Sequence, residues 1–487
     1  MKKLAFIIFI FSLPLTGNNF FISLNEKIEI NEMQEECFFD GGNIKLIYPR
    51  SAFPVIVDKG GNFTAIINFS YFDEIEAFIT TAYNQIPDKY KLYVDNIWQD
   101  DLCHINLRLP QNVVYELYNL TIMIFYENKI YKAVEPRAVS VQKIDGNFSF
   151  IHLSDLHIGD LRGLKENIKE TIGWKAVKKC IEEINLIKPN FVVITGDLVF
   201  GQLYPFEYRK EYKKCYEILQ LFKVPTYLCP GNHDGYIKLK EDGLKFWQEY
   251  FCPLYYSFNY GKSHFVMVNS YDWPKRSRIA FSCVVFNWGG YIGKEQLRWI
   301  EADLEKEKNA KLKFILLHHN PLWDTKNDSL FKNPYEGREE ILFLIEKYNV
   351  DAVLCGHVHY DNVTIRNGTL FITTTTPSSS LGKDTAYWGY RLIEIKNWSI
   401  YSYSYKGEGS IPSYRLNYSF EKEYKAIIKN DLDINIKAHL SFIVPLGEYE
   451  VKNGKIENIR YGEKLMEIYV TSEIGKRTEK EIYLYLL

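Results

Sequence analysis

Apolar and polar positions fall into three rhythms along this chain. Between residues 18 and 146 apolar residues alternate with polar ones in short runs at 43–48, 63–69, 119–126 and 132–141, separated by turns at Lys59-Gly60-Gly61-Asn62 and Glu127-Asn128-Lys129. Short strands at this spacing predict an Ig-like β-sandwich. At Asp145-Gly146 the rhythm changes. Continuous apolar runs at 148–153, 191–195, 226–229, 265–269, 314–317 and 352–355 now alternate with helical periods at 164–187, 207–222, 294–308 and 339–348. Ile168, Ile172, Ala176, Cys180 and Ile184 share one face of the first helix, and Pro189 stands just past its end. Leu297, Ile300 and Leu304 share a face of the third. The alternation predicts an α/β domain over 147–400, a sheet-centred core covered on both faces. Beyond residue 400, runs at 401–405, 437–444, 455–461 and 466–470 return to strand and predict a C-terminal β module over 401–487.

The α/β stretch carries its polar chemistry at strand ends, where open sheets place their sites. Asp155 and His157 follow the first strand, Gly196-Asp197 the second and Gly231-Asn232-His233-Asp234 the third. His318-His319 and Gly356-His357-Val358-His359 follow two later strands. Eight of the ten histidines lie between 152 and 359. Asp, Asn and His without thiolate suit borderline-to-hard divalent ions such as Mn, Fe, Zn or Ni. Asp155, His157, Asp197, Asn232, His318, His357 and His359 are too many donors for one ion; they suit two ions about 3.5–4 Å apart sharing a carboxylate. His152, inside its strand, and His264 are expected to be structural. His319 neighbours a donor, but adjacent strand residues point to opposite faces.

These blocks, in this order, resemble the calcineurin-like metallophosphoesterase superfamily, over about residues 148–400. The resemblance implies a four-layer α/β/β/α sandwich and two divalent ions. Asp155, His157 and His359 would hold the first ion, Asp197 would bridge both, and Asn232, His318 and His357 would complete the second. A metal-bound hydroxide would attack phosphorus in line. His233 would stay off the metal, face the phosphate and protonate the leaving oxygen, with Asp234 to orient or charge its imidazole. In the purple acid phosphatase branch the block after the second strand carries an iron-ligating Tyr; Phe200 stands at that position here, so no tyrosinate–iron chromophore is expected.

Composition adds location. Lys2 and Lys3 precede an apolar run from Leu4 to Leu15, a signal-peptide pattern over 1–17 with a poor cleavage site, so an uncleaved N-terminal membrane tether stays open. Nine N-x-S/T triplets, at Asn62, Asn68, Asn119, Asn147, Asn327, Asn362, Asn367, Asn397 and Asn417, point to N-glycans and a secreted or cell-surface protein. None of the eight cysteines forms a Cys-x-x-Cys pair, and Cys37 with Cys103 is a candidate disulfide. The net charge of −2 argues against nucleic acid.

The chain therefore reads as an extracytoplasmic two-metal phosphoesterase acting on phosphomonoesters or small phosphodiesters. The alternatives are a nuclease built from the same blocks, and a surface adhesion or scaffold protein with a structural metal. The pocket is expected from loops 201–210, 271–292 and 321–337. Their Tyr204, Trp273, Trp288 and Trp323 are expected first as rim packing, and otherwise as stacking partners for a base or aryl group.

Overall fold

The computed structural model describes residues 44–69, 71–160, 173–202, 208–239, 241–281, 284–285, 287–323, 334–378, 386–421 and 424–487. The 1–17 segment, Cys37, Tyr204, Cys283, Asn327 and the first residues of the expected 164–187 helix lie outside them.

Two six-stranded sheets form the middle of the chain. In one, Phe148–Leu153 pairs parallel with Phe191–Thr195, and that strand pairs parallel with Thr226–Cys229; Gly389–Lys396 closes antiparallel on the other side. In the other, Ser263–Met267, Leu312–Leu316, Ala352–Cys355 and Thr369–Thr373 run parallel in that order, with antiparallel edges at Tyr256–Tyr260 and Asn362–Arg366. Near-continuous apolar runs are what strands covered on both faces require. Alternate residues divide between those faces. Phe265 and Phe314 stack at 4.6 Å, and Phe150 of the facing sheet meets both edge-on at 5.5 and 5.6 Å. Val266, Ile315 and Val353 face outward, onto Ile300 and Leu304 of the Lys294–Lys306 helix and Ile341 and Ile345 of the Arg338–Lys347 helix. The helices Gly173–Ile187 and Tyr208–Leu219 bury Cys180, Ile184, Cys215 and Leu219 in the core of the first sheet. The result is the four-layer α/β/β/α arrangement.

The first sheet continues past residue 400, because Ser399–Ser402 pairs with its Gly389–Lys396 strand and Ile411–Pro412 adds to the same strand. The expected boundary at 400 therefore moves to about residue 415. Beyond it, Leu416–Glu421, Lys425–Asn430, Thr478–Leu486 and Tyr449–Lys452 form one sheet, and Ile436–Pro445, Leu465–Ile474 and Lys455–Tyr461 a second. Leu416 O accepts from Lys179 Nζ of the first helix at 3.0 Å.

At the N-terminal side, sheets of four and five strands share a core that includes Ala65, Ile79, Ile105, Leu120 and Val139. Arg137 fastens this sandwich to the edge of the first central sheet. It is 1% exposed and donates to Phe222 O at 2.9 Å and Val224 O at 2.8 Å, beside the strand that leads to Asn232. A buried carbonyl left without a donor costs about 1–3 kcal/mol, so two such bonds fix the docking geometry. Arg460 of the C-terminal module pairs with Asp88 of the sandwich at 2.6 Å, so the flanking modules also touch each other.

Cys103, Cys180, Cys215, Cys229, Cys252 and Cys355 are buried and free among the described residues, and the Cys37 side of the expected Cys37–Cys103 pairing lies outside them. Asn119 is a correction among the sequons: it is buried, and its Oδ1 accepts from the Arg137 backbone. Asn62, Asn68, Asn147, Asn367, Asn397 and Asn417 are exposed. No described helix is long and apolar enough to cross a membrane.

Candidate functional site

The strand ends of both sheets meet at one edge and bring all seven candidate donors together. Five of them take left-handed backbone: Asp155 (φ 58°), His157 (45°), Asp197 (53°), His357 (79°) and His359 (59°). Non-glycine residues held there cost about 1–3 kcal/mol each and cluster at functional sites. Backbone bonds hold them: Asp155 N donates to Gly196 O at 2.9 Å, His157 N to Asp197 O at 3.0 Å, and His357 N to Asp155 Oδ2 at 2.9 Å. Two glycines permit the close approach. A Cβ on Gly231 would lie 2.2 Å from Asp197 Oδ1, and one on Gly356 would lie 1.7 Å from Ser154 Oγ. Past His359, Asp361 pairs with buried Arg391 at 2.7 Å and accepts from Ser410 N at 2.8 Å, tying this loop to the other sheet.

The donor atoms converge in two sets. In one, Asp155 Oδ1 lies 3.1 Å from His359 Nε2 and 3.6 Å from His157 Nε2, and the two imidazole nitrogens are 3.0 Å apart. In the other, His318 Nε2 lies 3.1 Å from Asn232 Oδ1 and 3.2 Å from His357 Nδ1. Asp197 Oδ2 sits between them, 3.2 Å from His318 Nε2 and 3.7 Å from His157 Nε2. Groups of these atoms lie within 4.8 Å of one another.

The chemistry of the second set fits a cation. His318 Nδ1 donates to Thr195 O at 2.7 Å, so Nε2 of the neutral ring presents a lone pair. Asn232 Nδ2 donates to Tyr236 OH at 2.6 Å, which turns Oδ1 toward the same point. Acceptors facing each other at this range need something positive between them, a proton on His318 Nε2 or a metal ion in its place. Donors about 2.1 Å from a common ion are themselves about 3.0–3.4 Å apart, as found here. In the first set Asp155 Oδ1 is buried and makes no hydrogen bond.

Electrostatics follow the same layout. Burial opposes the charged carboxylates, yet His359 and His318 hold Asp155 well below the usual range, and His318 and His233 hold Asp197 low. His318 is buried too, but Asp197 and Asp155 raise it to about 9. Burial lowers His233 to about 4 and His357 to about 3.

His233 borders the first set: one of its ring nitrogens lies within 4.8 Å of ligand atoms of His157 and Asp197. Its Nε2 is 3.8 Å from Asp197 Oδ2, and its Nδ1–H donates in a short bond to the Phe200 carbonyl. The expected orienting role of Asp234 is thereby overturned. Its carboxylate accepts from Leu198 N at 2.9 Å, Val199 N at 3.2 Å and Gly231 N at 2.9 Å, holding the Asp197 loop against the Asn232 loop. The one-turn 3₁₀ segment His233–Gly235 sends the two neighbouring side chains in different directions. Phe200 carries no ligating oxygen on its side chain, yet its backbone orients His233; residue type gave no signal for that. His152 is fully buried against Thr195 Oγ1 at 2.8 Å, and His264 bonds Asn259 and Asp303. His319 is locked between Ser270 Oγ and Trp288 O, both at 2.9 Å.

A cavity of about 250 Å³ opens over the cluster, lined also by Gln202, Tyr236, Val285, Trp288 and Val358. Trp288 thus lines the site, while Trp273 is buried behind it, donating to Gly289 O.

Residues 148–361 match the calcineurin-like phosphoesterase family. Over 238 residues the chain is 31% identical to a probable glycerophosphodiester phosphodiesterase of Arcobacter nitrofigilis, covering 48% of this chain and 80% of that one. It is 27% identical over 236 residues to purple acid phosphatase 23 of Arabidopsis thaliana, covering 42% of this chain and 45% of that protein. A 3′,5′-cyclic-nucleotide phosphodiesterase of Nostoc is 25% identical over 218 residues, 44% of this chain and 72% of the relative. The chain belongs to the calcineurin-like phosphoesterase family, and its class is that of a metal-dependent phosphoester hydrolase.

Proposed function

We propose that this chain hydrolyses phosphomonoesters or small phosphodiesters outside the cytoplasm. Asp155, His157 and His359 would hold one divalent ion, Asn232, His318 and His357 a second, with Asp197 between. The observation that carries the proposal is the convergence of Asp, Asn and His ligand-type atoms from both sheets onto two points flanking Asp197 Oδ2. When bound, the ions supply positive charge to phosphoryl oxygens and acidify water.

The chain's own groups do the rest. Asn232, turned by Tyr236, and His318, turned by the Thr195 carbonyl, are oriented before any ligand arrives. That preorganisation lowers the cost of assembling the charged site. His233 Nε2 faces the cavity beside the cluster, placed to hold a proton toward a phosphoryl or leaving oxygen. The names of the relatives favour small esters, and so does a cavity of about 250 Å³, against the nuclease reading.

Protein stripped of metal and reloaded with manganese is expected to cleave p-nitrophenyl phosphate or bis-p-nitrophenyl phosphate, and not single-stranded DNA. Cleavage of DNA alone would transfer the case to the nuclease; cleavage of nothing would leave a structural metal site. The location rests on the N-terminal charged and apolar run and on the six exposed sequon asparagines. Enzymatic deglycosylation should lower the mass of the protein from its native source, and an unchanged mass would remove the glycans from the proposal. The Ig-like reading of the N-terminal sandwich rests on its two packed sheets of four and five strands.

A further inference from the structure

The loop wall opposite the cluster is held more firmly than packing alone requires. Three consecutive carbonyls each receive a buried side-chain donor from a different position. Tyr271 OH donates to Asn287 O at 2.7 Å, His319 Nε2 to Trp288 O at 2.9 Å, and Trp273 Nε1 to Gly289 O at 2.7 Å. Asn287 Oδ1 also accepts from Gly289 N at 3.0 Å. Tyr271 and His319 are 0% and 3% exposed, so these bonds are shielded from water. Three shielded hydrogen bonds restrain one short segment, and the residue at its centre is Trp288.

Trp288 is half-buried, and it lines the cavity together with Val285, Val358 and Tyr236. None of the described residues lining the cavity is Lys or Arg. The nearby guanidinium of Arg278 is engaged elsewhere: it pairs with Asp242 at 2.8 Å and donates to Trp273 O and Gly235 O. Among the described residues, the part of the lining outside the donor cluster is the Trp288 indole, Val285 and Val358, with the Gln202 amide and the Tyr236 phenol beside them. A second phosphate or carboxylate on the substrate would find no described cationic side chain there.

We infer that Trp288 is a specificity-determining residue, held by His319, Tyr271 and Trp273, and that it selects compact substrates whose leaving alcohol is uncharged with an apolar face. This rests on the phosphoesterase reading above, and it deepens that reading by naming the substrate class. A ring packed on Trp gains from the aromatic contact as well as from its larger buried area, and together these are expected to give about tenfold in affinity over a methyl group.

The test uses ligands that cannot be hydrolysed, so that it stands apart from catalysis. Manganese-loaded protein is titrated by calorimetry with phenylphosphonate, methylphosphonate and phosphonoacetate. The wild type is expected to bind phenylphosphonate about tenfold more tightly than methylphosphonate, with phosphonoacetate no tighter than methylphosphonate. In Trp288→Ala the preference should shrink to about twofold with the methylphosphonate Kd unchanged, and Trp288→Phe should retain most of it. Tighter binding of phosphonoacetate, a wild type without preference, or an undiminished preference in Trp288→Ala would each overturn the inference. A failed hydrolysis assay beside an intact phosphonate preference would instead count against the catalytic reading alone.

Discussion

Asp197→Ala is expected to lose both metal ions and at least about 10³-fold in kcat/KM. Asp197 Oδ2 lies well within 4 Å of nitrogen donors from both sets, at 3.2 Å from His318 and 3.7 Å from His157, whereas Asp155 Oδ1 reaches across to His318 only at 4.0 Å. A bound ion supplies several kcal/mol of transition-state charge stabilisation, and each 1.36 kcal/mol is tenfold in rate, so losing the shared ligand reaches three decades. Elemental analysis after gel filtration, alongside rates on p-nitrophenyl phosphate, checks the result. Retention of two ions per chain by the variant would refute the bridging assignment. Asp197→Asn is the finer probe, because its Oδ1 can still accept from His233 N, a bond of 2.8 Å, while the negative charge is gone.

The same carboxylate predicts a pH dependence. Burial disfavours a charged His318, but Asp197 and Asp155 raise it to about 9 in the metal-free protein. Below that pH an incoming ion must displace the proton, so apparent metal affinity should climb as pH rises and level off above about 9. The linkage to folding runs the other way. A folded pKa raised above the unfolded value of about 6.5 gives the apoprotein stability that is full below about 6.5 and lost as pH rises through about 9. In Asp197→Asn both trends should weaken.

Most of the site was legible in the sequence because it is built from side chains at fixed places. Each donor follows a continuous apolar run, and the Gly-Asp, Gly-Asn-His and Gly-His-x-His blocks mark where strand gives way to left-handed loop. The four layers were legible for the same reason, since strands covered on both sides cannot alternate apolar with polar. What stayed hidden was the work of the backbone. The carbonyls of Thr195, Phe200 and Trp288 orient His318, His233 and His319, and a carbonyl is common to every residue type. Asp234 misled because adjacency in sequence is not contact: its oxygens turn to the amides of Leu198, Val199 and Gly231. The boundary at 400 failed because an antiparallel edge strand, Ser399–Ser402, carries the same alternating signature as a separate β module.

His233→Ala is expected to keep both ions and lose about 10²–10⁴ in rate, the usual contribution of a positioned general acid. The size of the loss should depend on the leaving group. The Nδ1 proton is committed to the Phe200 carbonyl, so only Nε2 can exchange a proton with the cavity. In the free protein burial lowers this imidazole to about 4, and Asp197 offsets only part of that. At neutral pH Nε2 is therefore bare until a phosphoryl group brings negative charge beside it, and the wild-type kcat/KM should fall as pH rises from the acid side. That limb should be absent in the variant. A nitrophenolate departs without a proton, whereas an alkoxide does not, so the deficit should be largest for glycerol 3-phosphate and smallest for p-nitrophenyl phosphate. Equal deficits on the two esters would move His233 from proton donor to phosphate binder. Stability supplies an independent check on the buried neutral ring. A folded pKa below the unfolded 6.5 means that the unfolded chain binds the extra proton, so the wild type loses stability as pH falls from about 6.5 to about 4. His233→Ala removes that penalty, and its melting temperature should decline less than that of the wild type over the same window.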